Sequence, residues 1–261
     1  EYDPVKIELS VQPTDVTICE NNTTSITSGA LSFNTTVYSG TAPNTLPDYT
    51  SGASDTVGLI YSWEVQVGGV GSWSPLSNGA IYNNVATPIV TLNNVPLGFS
   101  TNKYRLRVTS SRNVCVSELS DEITLTVLPK PSNTTAPVAT ICGGGSLNHD
   151  LTGDVTLSGN SFSWQAADNP NVSGETVTTS SASNITDTLN NISGSVQTVI
   201  YTITPTSSDG CAGDPYTYTV TVNPEPYVAT LPFDNVCSDE ALNHDLNTDV
   251  NMSGVSFAWL A

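Results

Sequence analysis

Lysine and arginine disappear from this sequence after Lys130, and only 6 of its 261 residues are basic, against 24 that are acidic. A surface so negative repels nucleic acid phosphates and anionic lipid headgroups, so neither is an expected partner. Long apolar runs are missing as well. No stretch approaches the 18 or more residues of a membrane helix, and insertion of this segment into a membrane is not expected. The first residues, EYDPVKIELS, have neither the basic start nor the apolar core of a signal peptide. The sequence therefore reads as a mature piece; if it is exported, its signal has been removed or lies upstream. Helical spacing is absent too, because apolar residues never recur at i, i+3, i+4 and i+7 over three turns. What remains is Thr, Ser, Asn, Gly and Val in short alternating runs, the signature of an all-β protein.

Against that background one passage occurs twice. SLNHDLTGDVTLSGNSFSW (146–164) returns as ALNHDLNTDVNMSGVSFAW (241–259), at a lag of 95 residues that also carries Cys142 onto Cys237 and Pro131 onto Pro226. Such a period is too long for a solenoid and fits one β-sandwich per repeat. TVLPKP (126–131) and TVNPEP (221–226) end alternating strands with two prolines each, which stops the ladder and stiffens the exit. The expected domains are residues 1–128, residues 129–223, and an incomplete repeat over 224–261. Half a sandwich leaves its core open, so the sequence is read as a segment of a longer polypeptide.

Alternation names the core. Tyr104, Leu106 and Val108 face inward, followed by Ile123, Leu125 and Val127; in the second domain Val199, Tyr201 and Ile203 precede Tyr216, Tyr218, Val220 and Val222. Each set predicts a terminal hairpin. In YSWEVQV the inward residues are Tyr61, Trp63, Val65 and Val67, and Trp164 and Trp259 hold the corresponding place in their repeats. An indole there fills the space between two sheets about 10 Å apart, which favours a core role over a sugar-stacking platform. Trp73 follows a Gly-rich turn instead and is expected to plug a hairpin rather than contact a ligand.

Cys19 and Cys115 bracket the first domain, and Cys142 and Cys211 bracket the second. They are read as two disulfides closing long loops, with Cys237 left to pair beyond Ala261, one period after Cys211. Reduced, buried thiols are the alternative. A metal site is disfavoured because no two cysteines have ligand-like spacing. Disulfides imply an oxidising compartment.

His149 and Asp150 alternate along LNHDL and so point apart, with Leu147, His149 and Leu151 on one face. One His per repeat, with no positioned nucleophile or second ligand, composes neither a triad nor a zinc site. His149 is therefore expected to be half-buried and hydrogen-bonded to backbone, and no catalytic residue is assigned. No cofactor is expected; structural calcium stays open, because Asp150, Asp154, Asp209 and Asp214 lie in turns, although no D-x-[DN]-x-[DN]-G loop names a ligand set. Lys103, Arg105 and Arg107 form a solvated or edge-protecting stripe, or a dock for an acidic neighbour. The sequons at Asn34 and Asn184 follow from composition alone.

Thr140 to Cys142, Trp164, Asn169 to Gly174, Tyr201 to Pro205 and Cys211 together resemble the PKD-like (polycystic kidney disease-like) repeats of Bacteroidota surface proteins. The first domain is similar to the immunoglobulin-like repeats found beside them, through YSWEVQ, the Trp73 turn, YNNVATPIVTLNNV and YRLRVTSSRNVC. It departs in the polar insertion Tyr38 to Asp55. The triplets starting at Asp55 (DTV) and Asp187 (DTL) resemble the Bacteroidota O-glycosylation signal.

The resemblance implies tandem immunoglobulin-like and PKD-like β-sandwich domains in a secreted, multi-repeat adhesin of the gliding-motility or biofilm kind. Such a protein is exported by type IX secretion and held at the outer cell surface. Its implied partners are neighbouring repeats, surface glycans or proteins, and secretion or motility machinery. An accessory or carbohydrate-binding region of a secreted hydrolase, and capture as secretion cargo, are the alternatives.

Overall fold

A computed structural model describes residues 5–36, 50–51, 56, 58–111, 117–228 and 235–260. Cys115, Asp55 and most of the polar insertion, residues 38–49, lie outside the described residues. The chain divides into two compact units, Glu1–Pro129 and Lys130–Ala261.

In the first unit the strands are β1 (Val5–Val11), β2 (Val16–Cys19), β3 (Thr24–Thr27), β4 (Gly29–Thr36), β5 (Thr50–Ser51) and β6 (Leu59–Gln66). They continue as β7 (Ser74–Pro75), β8 (Tyr82–Asn83), β9 (Ile89–Leu92), β10 (Lys103–Ser110), β11 (Ser117–Leu119) and β12 (Ile123–Leu128). One sheet runs β2-β12-β10-β6-β7, with β11 also on β10; β3-β9-β8 and β1-β4-β5 form the others. The β2–β12 pair is parallel and sets Cys19 opposite Leu128. Strict alternation on β10 buries Tyr104, Leu106 and Val108 completely, where they join Trp63, Leu92, Val90 and Leu125 in one core.

The second unit contains β13 (Val138–Cys142), β14 (Gly145–Ser146), β15 (His149–Asp150), β16 (Ser161–Ala166) and β17 (Val172–Ser173). After these come β18 (Asn184–Ile185), β19 (Thr188–Asn191), β20 (Gln197–Thr206) and β21 (Tyr216–Asn223). The sheet β13-β21-β20-β16 faces the short strands β14-β19-β17 and β15-β18. Phe162, Trp164, Tyr201, Ile203, Tyr218 and Val220 from the first close on Leu147, Leu151, Ile185 and Leu189 from the second. Again the opening strand runs parallel to the last, with Cys142 opposite Asn223. Both units are immunoglobulin-like β-sandwiches in tandem.

The two tryptophan strands are built alike despite differing sequences. Trp63 opposes Leu106 and donates from Nε1 to the Thr87 carbonyl at 2.9 Å; Trp164 opposes Ile203 and donates to the Ala182 carbonyl at 2.8 Å. A buried indole keeps its N–H partnered, because an unpaired donor there would cost stability. Trp164 also meets Tyr201 edge-on at 5.8 Å.

Two expectations from alternation fail. Val67 is 69% exposed, because the chain leaves β6 there and turns through a 3-10 segment, Val67–Gly69, in which Gly68 has φ 64. Trp259 is 76% exposed. Residues 235–260 carry no strand ladder for the indole to pack on.

Candidate functional site

The repeated NHD passage is a structural joint. His149 lies at the start of a backbone that turns through a 3-10 segment, Leu151–Asp154, and this turn brings the Asp154 carboxylate back to the imidazole. His149 Nε2 sits 2.8 Å from Asp154 Oδ2, and Tyr216 donates its hydroxyl to the same oxygen at 3.1 Å. The imidazole stacks on Tyr218 with ring centres 4.2 Å apart. Burial first, then the neighbouring Asp154 carboxylate, push the Tyr216 phenol well above its ordinary pKa, so it stays a donor. The expected partner of His149 was a backbone group; the observed one is a carboxylate five residues on. Sequence reasoning missed Asp154 as that partner, although its matching place in both repeats was the available signal.

Asp150 faces the other way, as its alternation with His149 predicts. Its carboxylate accepts from the Thr152 backbone N–H at 2.9 Å and from the Thr152 hydroxyl at 2.8 Å, capping the 3-10 turn. Those two hydrogen bonds hold the carboxyl below its usual range. One period later the same device recurs: His244 Nε2 is 2.6 Å from Asp249 Oδ2, and Asp245 accepts from the Asn247 side chain and backbone. Both histidines and all four carboxylates are thus engaged locally. Among the described residues no group of three or more His, Cys, Asp or Glu side chains is arranged to hold a metal ion.

On the first unit the basic stripe is not merely solvated. Glu64 on β6 receives Arg105 Nε and Arg107 Nε at 2.7 Å each, one per oxygen. Burial alone would raise the Glu64 pKa, but the hydrogen bonds from Arg107 and Arg105, and their charges, bring it below the ordinary carboxylate value. The Arg105 guanidinium also lies 4.1 Å from the Trp73 ring centre. Trp73 therefore has one face covered by protein, as a hairpin plug would. Lys103 pairs with Glu122 at 3.3 Å.

The DTL triplet is likewise occupied. Asp187 accepts from the Thr176 backbone N–H and hydroxyl, both at 2.7 Å, and from the buried Tyr201 hydroxyl at 2.8 Å. Thr188 is exposed and shares a 2.8 Å hydrogen bond with Ser146. A shallow depression of about 240 Å³ in the second unit is lined by Ser163, Trp164, Gln165, Thr179, Thr202 and Thr204, without a charged group.

The expected Cys142–Cys211 pair does not form, and Cys115, the expected partner of Cys19, lies outside the described residues. Cys19 and Cys211 are disulfide-bonded, whereas Cys142 and Cys237 are free and exposed. Cys142 and Cys211 cannot meet, because they lie at opposite ends of β21: Cys142 stands opposite Asn223, and Cys211 precedes Tyr216. Seven steps of strand separate these ends by roughly 23 Å, against the ~7 Å limit between the α-carbons of a disulfide.

Residues 139–226 and again 234–261 match the family model for a PKD-like domain. The second unit is similar to PKD-like domains. No curated protein sequence matches the chain. Among solved structures, the I-band fragment I67-I69 from titin aligns at 13% identity with a TM-score of 0.40, covering 86% of this chain and 68% of that one. The N-terminal Ig1-2 module of the Drosophila receptor protein tyrosine phosphatase DLAR aligns at 14% identity with a TM-score of 0.29, covering 83% of this chain and 98% of that one. Among the described residues no helix is long and apolar enough to cross a membrane.

Proposed function

We propose that this chain is a non-enzymatic structural and adhesive repeat segment of a bacterial surface protein of the gliding-motility or biofilm kind, exported by type IX secretion. Residues 1–128, 129–223 and 224–261 are its successive repeats. The observation that carries the reading is the engagement of the repeated polar residues: His149, Asp150 and Asp154, and their copies His244, Asp245 and Asp249, are spent on turns and core edges. Repetition of this kind serves the building of similar sandwiches in series rather than the chemistry of one cleft. Ladder hydrogen bonds along β10–β6 and β20–β21 would resist extension under load. The lopsided negative charge keeps such a surface soluble and turned away from nucleic acid and anionic lipid.

Beads coated with the 261-residue protein test the reading. Retention on bacterial surfaces or a glycan array, unchanged by His149→Gln, with no turnover of polysaccharide or ester substrates, is the expected result. Hydrolysis that His149→Gln abolishes would overturn it. Glycan binding lost specifically on Trp73→Ala would favour the accessory carbohydrate-binding role instead.

A further inference from the structure

Gly194 lies in the loop between β19 and β20, and its backbone does not take the left-handed conformation that would call for glycine. Close approach calls for it instead. A Cβ placed on Gly194 would come within 3.2 Å of the Asn251 carbonyl oxygen, in the second copy of the repeated passage. We infer that this loop is a docking face for the passage that follows the second sandwich, and that Asn251 is the clasp which fixes that passage at one angle to it.

The loop is braced to serve as such a face. Asn191, buried at the end of β19, donates from Nδ2 to the Ser195 carbonyl at 2.8 Å and to the Val222 carbonyl at 2.9 Å. Its Oδ1 accepts from the Ser193 N–H at 2.9 Å and from the Ser193 hydroxyl at 2.8 Å. Polar groups that satisfy one another in this way hold a loop to one shape. Val222 is the last residue but one of β21, so the brace also ties the loop to the strand from which the Pro224–Glu225–Pro226 tether departs. Ile192 and Val196 on either side of it are exposed, and the surface that meets Asn251 is the backbone of Gly194.

Asn251 reaches in three directions. Its carbonyl oxygen rests on Gly194, its Oδ1 accepts the Tyr227 N–H at 3.0 Å, and its Nδ2 donates to the Glu225 carbonyl at 3.4 Å. Its own N–H donates to the Tyr227 carbonyl at 3.2 Å, beside an antiparallel bridge between Val228 and Val250. One period earlier the same turn is built from Ser132 and Thr156. There the Ser132 N–H donates to Thr156 Oγ1 at 3.2 Å, the Thr156 N–H donates to the Ser132 carbonyl at 3.0 Å, and Asn133 bridges Val155. At Asn251 this turn also reaches the preceding sandwich.

The tether is held from its other side as well. Gly143 donates its N–H to the Asn223 carbonyl at 2.8 Å, and a Cβ on it would meet the Glu225 Cβ at 3.6 Å. Two prolines fix φ at positions 224 and 226 but leave rotation about ψ. With Glu225 against the Gly143 turn and Asn251 against Gly194, that rotation is stopped at both ends. Orientation then passes from the sandwich to the residues beyond it without a hinge. The joint works in the same way whatever surface the chain adheres to.

Backbone amide relaxation by NMR on the 261-residue protein tests this, because it reads the tumbling of each N–H separately. The amides of residues 235–260 should share the correlation time of those in β13 to β21. Gly194→Leu should shorten it for residues 235–260 alone, while the Trp164 and Tyr201 resonances keep their positions. Independent tumbling of residues 235–260 in the unsubstituted protein, or continued coupling in Gly194→Leu, overturns the inference. Should Gly194→Leu displace the Trp164 resonances and so disturb the sandwich itself, Asn251→Ala decides in its place, since it spares the loop and removes the side-chain bonds to Tyr227 and Glu225. Loss of shared tumbling in Asn251→Ala supports the clasp, and its retention overturns it.

Discussion

His149 Nε2 and Asp154 Oδ2 stand 2.8 Å apart, and the same oxygen accepts the Tyr216 hydroxyl from the opposite sheet. This one carboxylate ties the 3-10 turn after β15 to the last strand of the sandwich, which makes a five-residue local contact into a long-range one. The matching pair at His244 and Asp249 forms at 2.6 Å although residues 235–260 contain no β-ladder. The His–Asp turn is therefore specified locally, and the tyrosine closes over it as the sandwich is completed.

Asp154→Ala should destabilise the second unit by about 2–4 kcal/mol, because it leaves a buried hydroxyl and a half-buried ring nitrogen without their acceptor. Urea denaturation followed by Trp164 fluorescence measures the loss. Tyr216→Phe in the Asp154→Ala background should cost much less than it does alone, since one half of the contact is already gone. A change below about 0.5 kcal/mol for Asp154→Ala would mean that the contact is ornamental.

Glu64 predicts an acid-labile first unit. Its folded pKa lies below the ordinary value of 4.5, held down by Arg107 and Arg105 against the rise that burial would cause. A carboxyl depressed on folding stabilises fully above its unfolded pKa and loses that contribution as pH falls through the folded one. The melting temperature of the first unit should therefore fall as pH drops below 4.5. Glu64→Gln should lower it at neutral pH and flatten the acid slope. An unchanged slope between wild type and Glu64→Gln would show that Glu64 is not linked to folding.

How much of this was legible in sequence depends on the range of the interaction. Strand faces were legible, because alternation writes them directly: Tyr104, Leu106 and Val108 are fully buried as their spacing predicts. The rule fails at Val67, where the strand ends and a glycine turn begins. The cysteines were harder, since position along the chain does not say at which end of a sandwich a residue lies; only the parallel register of Cys142 with Asn223 does. The Asp154 partner of His149 was hidden for a similar reason. Its spacing matches no helix or strand period, and only the 3-10 turn closes it.

Trp164 and Trp259 occupy the same place in the repeated passage but not the same environment, at 4% and 76% exposure. Trp164→Ala should cost about 3–5 kcal/mol through lost transfer energy and a cavity between the sheets. Trp259→Ala in the same protein should shift stability by no more than about 0.5 kcal/mol. Differential scanning calorimetry on both variants reads the contrast, and equal losses would place Trp259 in a core.

Asp187 separates a structural aspartate from a glycosylation signal. Its carboxylate collects three donors, from Thr176 twice and from Tyr201. Burial first, then the Asp187 hydrogen bond and charge, raise the Tyr201 phenol far above its ordinary pKa, so the hydroxyl remains a donor across the physiological range. Tyr201→Phe removes one donor and should cost about 1 kcal/mol, whereas Asp187→Ala strands all the donors and should cost about 3 kcal/mol or more. Both measurements belong in protein made without any glycosylation machinery, by urea midpoint. Under those conditions a DTL signal that acts only through an attached glycan would leave Asp187→Ala as stable as wild type. A loss several times that of Tyr201→Phe instead assigns the aspartate to the core edge of the sandwich.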